Sequence, residues 1–189
     1  MLELKTVAPG RYQYVNTNTP RGIFRLALPD SITQASTFEL VDGHVRPLSF
    51  EGMDEKERPT RLTFEWPAGR VSGIAKGRSV DIQVPQAAQD PMSLQIASLR
   101  GLAAHDLSDS IWLVDSDELK EFLLTQEGPA KIDTRLGTLD TVVYSSKGRT
   151  GDRITRTWVA PALGYLPVKA ERVRGEKVEF SLKIESAGP

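Results

Sequence analysis

The chain has no cysteine, and that absence removes disulfides, thiolate nucleophiles and every cysteine-held zinc or iron–sulfur centre together. Histidine is almost as scarce: His44 and His105 are the only two, too few for a histidine-rich metal centre. No stretch approaches the roughly 20 apolar residues that span a bilayer, and the opening residues lack the basic, apolar and cleavage regions of a secretory leader. A transmembrane segment is therefore not expected. An excess of one charge is missing too. The 24 Lys and Arg stand against 25 Asp and Glu for a net charge of -1, so nothing draws the chain as a whole to nucleic acid. The glycine signatures of phosphate and dinucleotide loops and the G-x-S-x-G elbow of serine hydrolases are also absent. No cofactor, resident metal or catalytic residue is expected.

What is present is period-2 alternation. Over 189 residues, enough for one domain with a full core, short apolar-alternating runs are closed again and again by glycine or proline turns. Leu2 to Val7 opens as a strand already under way, and the chain reads as starting inside a longer polypeptide. Pro9-Gly10 turns it into Arg11 to Val15. Residues 20–28 break the alternation and read as a short helical or irregular crossover. Thr33 to Val41 and Val45 to Phe50 form the clearest hairpin, because Asp42-Gly43 accepts positive φ and Phe38, Leu40, Leu48 and Phe50 fall on one face. In "TRLTFEW", Leu62, Phe64 and Trp66 stand at i, i+2 spacing, the mark of a half-buried strand.

One helix interrupts the series. In "QDPMSLQIASLRGLAAHDL", Asp90 is placed to cap and Pro91 sits where its missing N–H costs nothing. Met92, Ile96, Leu99 and Ala103 then form an apolar stripe that requires an apolar surface to lie on. Strands resume at Ile111 to Val114, Leu119 to Thr125, Ala130 to Arg135, Leu139 to Ser145, Ile154 to Val159, Leu166 to Val173 and Val178 to Ile184. The expected fold is mainly β with one main helix. It is a curved antiparallel sheet or incompletely closed β-barrel, with the helix packed on or in its concave face.

The succession "TFELVDGHVRPLSF", "LTFEWPAGRVSG", "DPMSLQIASLR", "TRLGTLDTVVYSS" and "TWVAPALGYLPVKAE" resembles the DUF3108 family of bacterial exported proteins of undetermined function. The resemblance runs over nearly all of the chain from residue 11 onward. It implies a periplasmic or exported location, and an upstream signal sequence and strand whose loss leaves an exposed sheet edge. In general plan such proteins look similar to periplasmic lipoprotein carriers, a likeness of fold that does not fix function.

Candidate functional residues are few. Phe64, Trp66, Met92, Ile96, Leu99 and Trp112 are placed to line a hollow for a lipid or other hydrophobic ligand, or to fill it as an ordinary core. "TRTWVAPALGYLPVKAERV" gathers Trp158, two prolines, Gly164 and Tyr165 between two apolar runs. The reading adopted is a corner in the sheet, with Trp158 and Tyr165 as its anchors; the alternative is aromatic contacts at a cavity mouth. Asp115-Ser116-Asp117 has the D-x-D form of metal-assisted sugar transfer, but without a βαβ unit around it a solvated loop is expected. Lys147, Arg149, Arg153 and Arg156 cluster about one hairpin tip, read as solvated, with contact to an anionic headgroup or an acidic partner as the alternative. Two classes of function follow: a periplasmic carrier of a hydrophobic ligand, or a non-catalytic envelope scaffold that pairs with a protein partner through a sheet edge.

Overall fold

The computed structural model describes residues 2–18, 32–53 and 58–184. Seven strands, β1 (Leu2–Ala8), β2 (Arg11–Asn18), β3 (Ile32–Val41), β4 (His44–Met53), β5 (Pro59–Glu65), β6 (Arg70–Ala75) and β7 (Arg78–Gln83), form one antiparallel sheet in chain order. β8 (Ala88–Gln89) leads into α1 (Ser93–Ala104). β9 (Ser110–Asp115), β10 (Glu118–Thr134), β11 (Gly137–Gly148), β12 (Arg153–Ala160), β13 (Leu166–Arg174) and β14 (Lys177–Lys183) follow. The second sheet runs β14-β13-β12-β11-β10-β9-β8. Among the described residues the fold is mainly β with one α-helix, as the turn spacing predicts, and the sheets are open rather than closed into a barrel. The crossover expected over residues 20–28 lies outside the described residues.

By compactness the chain divides into two units, Met1–Ala97 with Trp112–Leu119, and Ser98–Ile111 with Lys120–Pro189. The first is organised by a single row of side chains. Register places Leu4, Tyr14, Ser36, Phe50, Leu62, Gly73 and Val80 opposite one another across β1 to β7. Tyr14, Ser36, Phe50, Leu62 and Val80 are buried in this row, and Leu4 at its end is exposed. The core of the unit gathers on this side, with Phe38, Phe64, Val71 and Val114 added to the row. The second unit holds the long antiparallel ladders of β10 to β14, with Val143, Val159, Val168 and Val173 buried.

Turn chemistry explains the hairpins. Asp42 and Gly43 have φ of 50° and 84°, Lys76 and Gly77 have 53° and 75°, and each pair forms a two-residue turn whose positive φ matches the twist of its strands. Pro9-Gly10 closes β1 on β2 through Ala8 and Arg11.

Four local expectations change. In β4, Thr37 faces Ser49 while Phe38 faces Pro47, so Leu48 is an extra, bulged residue. The bulge puts Val45 and Pro47 inward before Phe50, where unbroken alternation predicts Leu48, which is only half-buried. The two strands predicted at 119–125 and 130–135 are one, β10, because Gly128 and Pro129 sit at a bulge: Gln126 faces Tyr144 and Gly128 faces Val143, leaving Glu127 over. The sheet is not wholly antiparallel either, since β8 pairs parallel to β9 across α1, with Ala88 opposite Trp112. Finally, Leu102 rather than Ala103 is buried at the end of α1. There the helix closes early. The His105 N–H bonds the Leu102 carbonyl, the Asp106 N–H bonds the Gly101 carbonyl at 2.8 Å, and His105 takes φ 54°, a left-handed C-terminal cap.

Candidate functional site

Five of the residues placed as ligand-lining meet in the first unit. Phe64 ends the buried side of β5 and stacks on Trp66, with ring centroids 5.5 Å apart. Trp66 opens a one-turn 3-10 helix, Trp66–Ala68, that Pro67 favours and that Gly69 ends in the left-handed region. Its indole N–H donates to the Pro47 carbonyl at 2.7 Å. Met92 is fully buried, and Ile96 and Trp112 pack against the same core while remaining half-exposed. Phe64, Trp66 and Met92 thus belong to the packed core. Trp66→Phe, which keeps the ring and leaves the buried Pro47 carbonyl without its donor, is expected to cost about 1–3 kcal/mol. Urea unfolding reads this directly, and an unchanged midpoint would remove the indole as an anchor.

Leu99, Trp158 and Tyr165 lie in the second unit. Leu99 is half-buried on α1. Trp158 stands within β12, where the Lys169 ammonium lies over its ring at 4.1 Å from the centroid. The stretch from 155 to 173 is a corner. β12 ends in a one-turn 3-10 helix, Pro161–Leu163, Gly164 closes it with φ 66°, and the Tyr165 N–H bonds the Ala160 carbonyl at 3.0 Å before β13 begins. Tyr165 itself has φ 62° and meets His105 edge-on at 6.2 Å. It is the same device as Trp66–Ala68: proline in the turn, a left-handed glycine after it.

A buried polar cluster joins the start of α1 to the middle of the first sheet. Asp90 has no exposed surface. Its Oδ1 accepts from the Met92 and Ser93 N–H groups at 2.8 and 2.9 Å, its Oδ2 accepts from the Ser36 hydroxyl at 2.6 Å, and its own N–H donates to Ser93 Oγ at 3.0 Å. This is a capping box extended across the core to a strand. Burial pushes the Asp90 carboxyl up, against the pull of these donors. Beside it, Gln89 donates from Nε2 to the Val45 carbonyl at 3.0 Å, while its Oε1 is buried without a partner. Sequence reasoning found the cap and missed Ser36. The signal was there: a serine in the inward register of a strand, two residues before Phe38.

Most of the charged residues in the remaining motifs are ion-paired. Asp117 of the D-x-D lies in the β9–β10 turn and binds Lys76 at 2.6 Å, a bond that lowers the carboxyl and raises the ammonium. At the basic hairpin tip Arg149 binds Glu121, Arg153 binds Glu179 at 2.9 Å and Arg156 binds Glu127 at 2.9 Å. His44 is exposed at the β3–β4 turn. Among the described residues no group of three or more histidines and carboxylates is placed to hold a metal ion, and no helix is long and apolar enough to cross a membrane.

Apolar side chains stay uncovered on the edge strands β1 and β14, and at single positions elsewhere such as Met53 of β4, Ile74 of β6 and Leu123 of β10. Leu2 and Leu4 of β1 are 57% and 54% exposed, and Phe180 and Leu182 of β14 are 49% and 58% exposed. Their i, i+2 spacing is plain in the sequence, but it reads as half-buried there, because alternation does not tell an edge from a centre.

Searches of the curated proteins and of the solved structures each return no match. A family model described as a protein of unknown function, DUF3108, matches residues 3–179, nearly the whole span of the sheets just described, and this chain belongs to that family.

Proposed function

We propose that this chain is a non-catalytic interaction module of the bacterial cell envelope that binds other proteins through its open sheet edges. The observation that carries the reading is the contrast between core and edge. Phe64, Trp66 and Met92 are buried in a packed cluster, whereas Leu2, Leu4, Phe180 and Leu182 stand exposed on β1 and β14. An edge strand presents unpaired N–H and C=O groups in a row, and exposed apolar side chains beside them favour added strands from a partner. The envelope location rests on the resemblance to exported bacterial proteins.

A second reading, carriage of a lipid or other hydrophobic ligand, is favoured by the half-exposed apolar border of the core, Tyr12, Leu48, Ile96 and Trp112. Site-specific photocrosslinking in the host separates the two. With the photoreactive residue at Leu4 or Phe180, protein adducts are expected, and at Asp133, on the exposed β10–β11 tip, none. Lipid adducts at Trp112 with no protein adduct at either edge would replace the interaction reading by the carrier.

A further inference from the structure

We propose that one face of β10, β11 and β12, walled by Tyr165 and His105, binds a neutral oligosaccharide. The inference goes beyond the edge-binding reading above and does not depend on it, because these three strands lie inside the second sheet and not at its borders. It begins with a residue in a costly place. The corner at Trp66–Ala68 closes Glu65 on Arg70 with residues 66–69, and of these Gly69 alone takes positive φ. The corner at Pro161–Leu163 closes Ala160 on Leu166 with residues 161–165, and its additional residue is Tyr165, left-handed at φ 62° directly after Gly164 at 66°. A bulky aromatic residue is strained in that region, and such strain gathers where a side chain is held for a ligand.

The Tyr165 ring meets His105, the left-handed cap of α1, with centroids 6.2 Å apart and ring planes at 88°, so the two rings form a corner. Tyr144 of β11 stands close by: burial, and after it the charge of an ionised Tyr165, hold its phenol above the ordinary value. Across the sheet Gln126, Tyr144 and Thr157 stand opposite one another. Two residues along, Leu124, Ser146 and Thr155 do the same on the same face. The Tyr144 hydroxyl donates to Gln126 Oε1 at 3.1 Å, which turns the carboxamide N–H donors away from the phenol. Val159, two residues beyond Thr157, is 2% exposed, whereas Tyr144, Ser146, Thr155 and Thr157 are half-buried and Gln126 is exposed. The face therefore opens where its polar groups begin.

Chemistry selects the ligand. Gln126, Tyr144, Ser146, Thr155 and Thr157 offer a carboxamide, a phenol and three hydroxyls, none of them charged. Lys147 and Arg156 of the same strands lie on the opposite face, and Arg156 is bound by Glu127. On the patch's own face Arg153 and Arg172 stand beyond Thr155, and Arg153 is held by Glu179. An anionic ligand would call for guanidinium groups that here are turned away, paired or outside the patch. Hydroxyls and a carboxamide exchange hydrogen bonds with sugar hydroxyls in either sense, and an aromatic wall receives the C–H face of a sugar ring. Three strands span about 10 Å and two rows about 7 Å, the dimensions of a disaccharide.

Saturation-transfer NMR on the whole chain, with maltose, lactose and diacetylchitobiose as probes, tests the assignment. At least one is expected to bind, with transfer strongest to the C–H protons on one face of a sugar ring. Tyr144→Phe, which keeps the ring and removes the hydroxyl, and Tyr165→Asn are each expected to weaken that binding about tenfold. Tyr165→Asn also separates a binding role from a structural one. Asparagine accepts the left-handed region, so this variant is expected to unfold at or above the wild-type temperature while losing the ligand. A fall of many degrees with binding intact would make Tyr165 an anchor of the corner and overturn the proposal. Should Tyr165→Asn fail to fold, Tyr144→Phe decides. A folded chain that binds none of the three probes overturns the proposal too, as do variants that both bind like wild type. So does a sulfated disaccharide bound more tightly than all three, because the face would then be reading charge. Photocrosslinks at Leu4 and Phe180 are expected to persist in both variants, so the failure of either reading is distinguishable from the failure of the other.

Discussion

Gly73→Ala is expected to cost about 3–5 kcal/mol, the sum of a strained backbone and a steric clash, against a typical total stability of about 5–15 kcal/mol. Gly73 sits in β6 between Leu62 and Val80, with φ 149°. A Cβ there would not stand off the sheet; it would lie 2.0 Å from the Arg61 carbonyl oxygen and 3.1 Å from the Leu62 Cα. Both obstacles are backbone of the neighbouring strand, so no rotamer relieves them. β5 and β6 must move apart, and β5 carries Leu62 and Phe64 into the core. Gly10→Ala is the control. Its φ is 72° but a Cβ meets nothing within 4 Å, so only the left-handed penalty of about 1–2 kcal/mol applies. Thermal unfolding of both variants should show a fall of about 10 °C for Gly73→Ala and a few degrees for Gly10→Ala. Equal shifts would mean that strain, not the close approach of strands, governs position 73.

Asp90→Ala ranks second, at about 3–4 kcal/mol. The substitution removes a helix cap, worth about 1 kcal/mol, and leaves the Ser36 hydroxyl and the Met92 and Ser93 N–H groups buried without their acceptor. Asp90→Asn keeps Oδ1 for the two N–H groups and lets the Ser36 hydroxyl turn to accept from Nδ2, so its cost should be about 1 kcal/mol at low pH. The pair of variants also exposes the carboxyl's titration. Burial raises the folded-state pKa above its ordinary value near 3.8. A raised pKa means the folded chain holds its proton more tightly than the unfolded chain. The stability this supplies is complete below about pH 3.8 and is lost as pH rises through the folded pKa. Unfolding free energies of wild type and Asp90→Asn, measured side by side from acid to neutral pH, should therefore move in favour of the asparagine variant as pH rises. Titrations common to both cancel in the difference. A difference that moved toward wild type would show that the donors from Ser36, Met92 and Ser93 outweigh burial.

The strands were legible because their causes are local. Gly43 and Gly77 take positive φ without steric cost, Asp42 tolerates it beside Gly43, and Leu62 and Phe64 alternate with polar neighbours. What escaped depends on partners. The Leu48 bulge exists because of the register between β3 and β4, and no property of Leu48 alone announces it. β8 has two residues, too short for any period, and is a strand only because Ala88 and Gln89 meet Trp112 and Leu113. Gly128-Pro129 has turn composition but is absorbed as a bulge in a long strand. The same limit applies to the site. The aromatic residues at 64, 66 and 112 were found as a group, yet whether such a group is filled or hollow is a matter of packing. Leu4 and Leu62 look alike in sequence and differ in burial because one strand is at an edge and the other is not.

Because the strands of each sheet are laid down in chain order, most of their pairings join neighbours in sequence. A polypeptide leaving the ribosome can then zip one hairpin onto the last without waiting for distant segments. The parallel pairing of β8 with β9 is different, since Ala88 must find Trp112 with the whole of α1 between them. Chain-closure entropy makes such a step slower than the hairpins around it. Folding speed in this protein is accordingly expected to be set at one helical crossover rather than by its many strands.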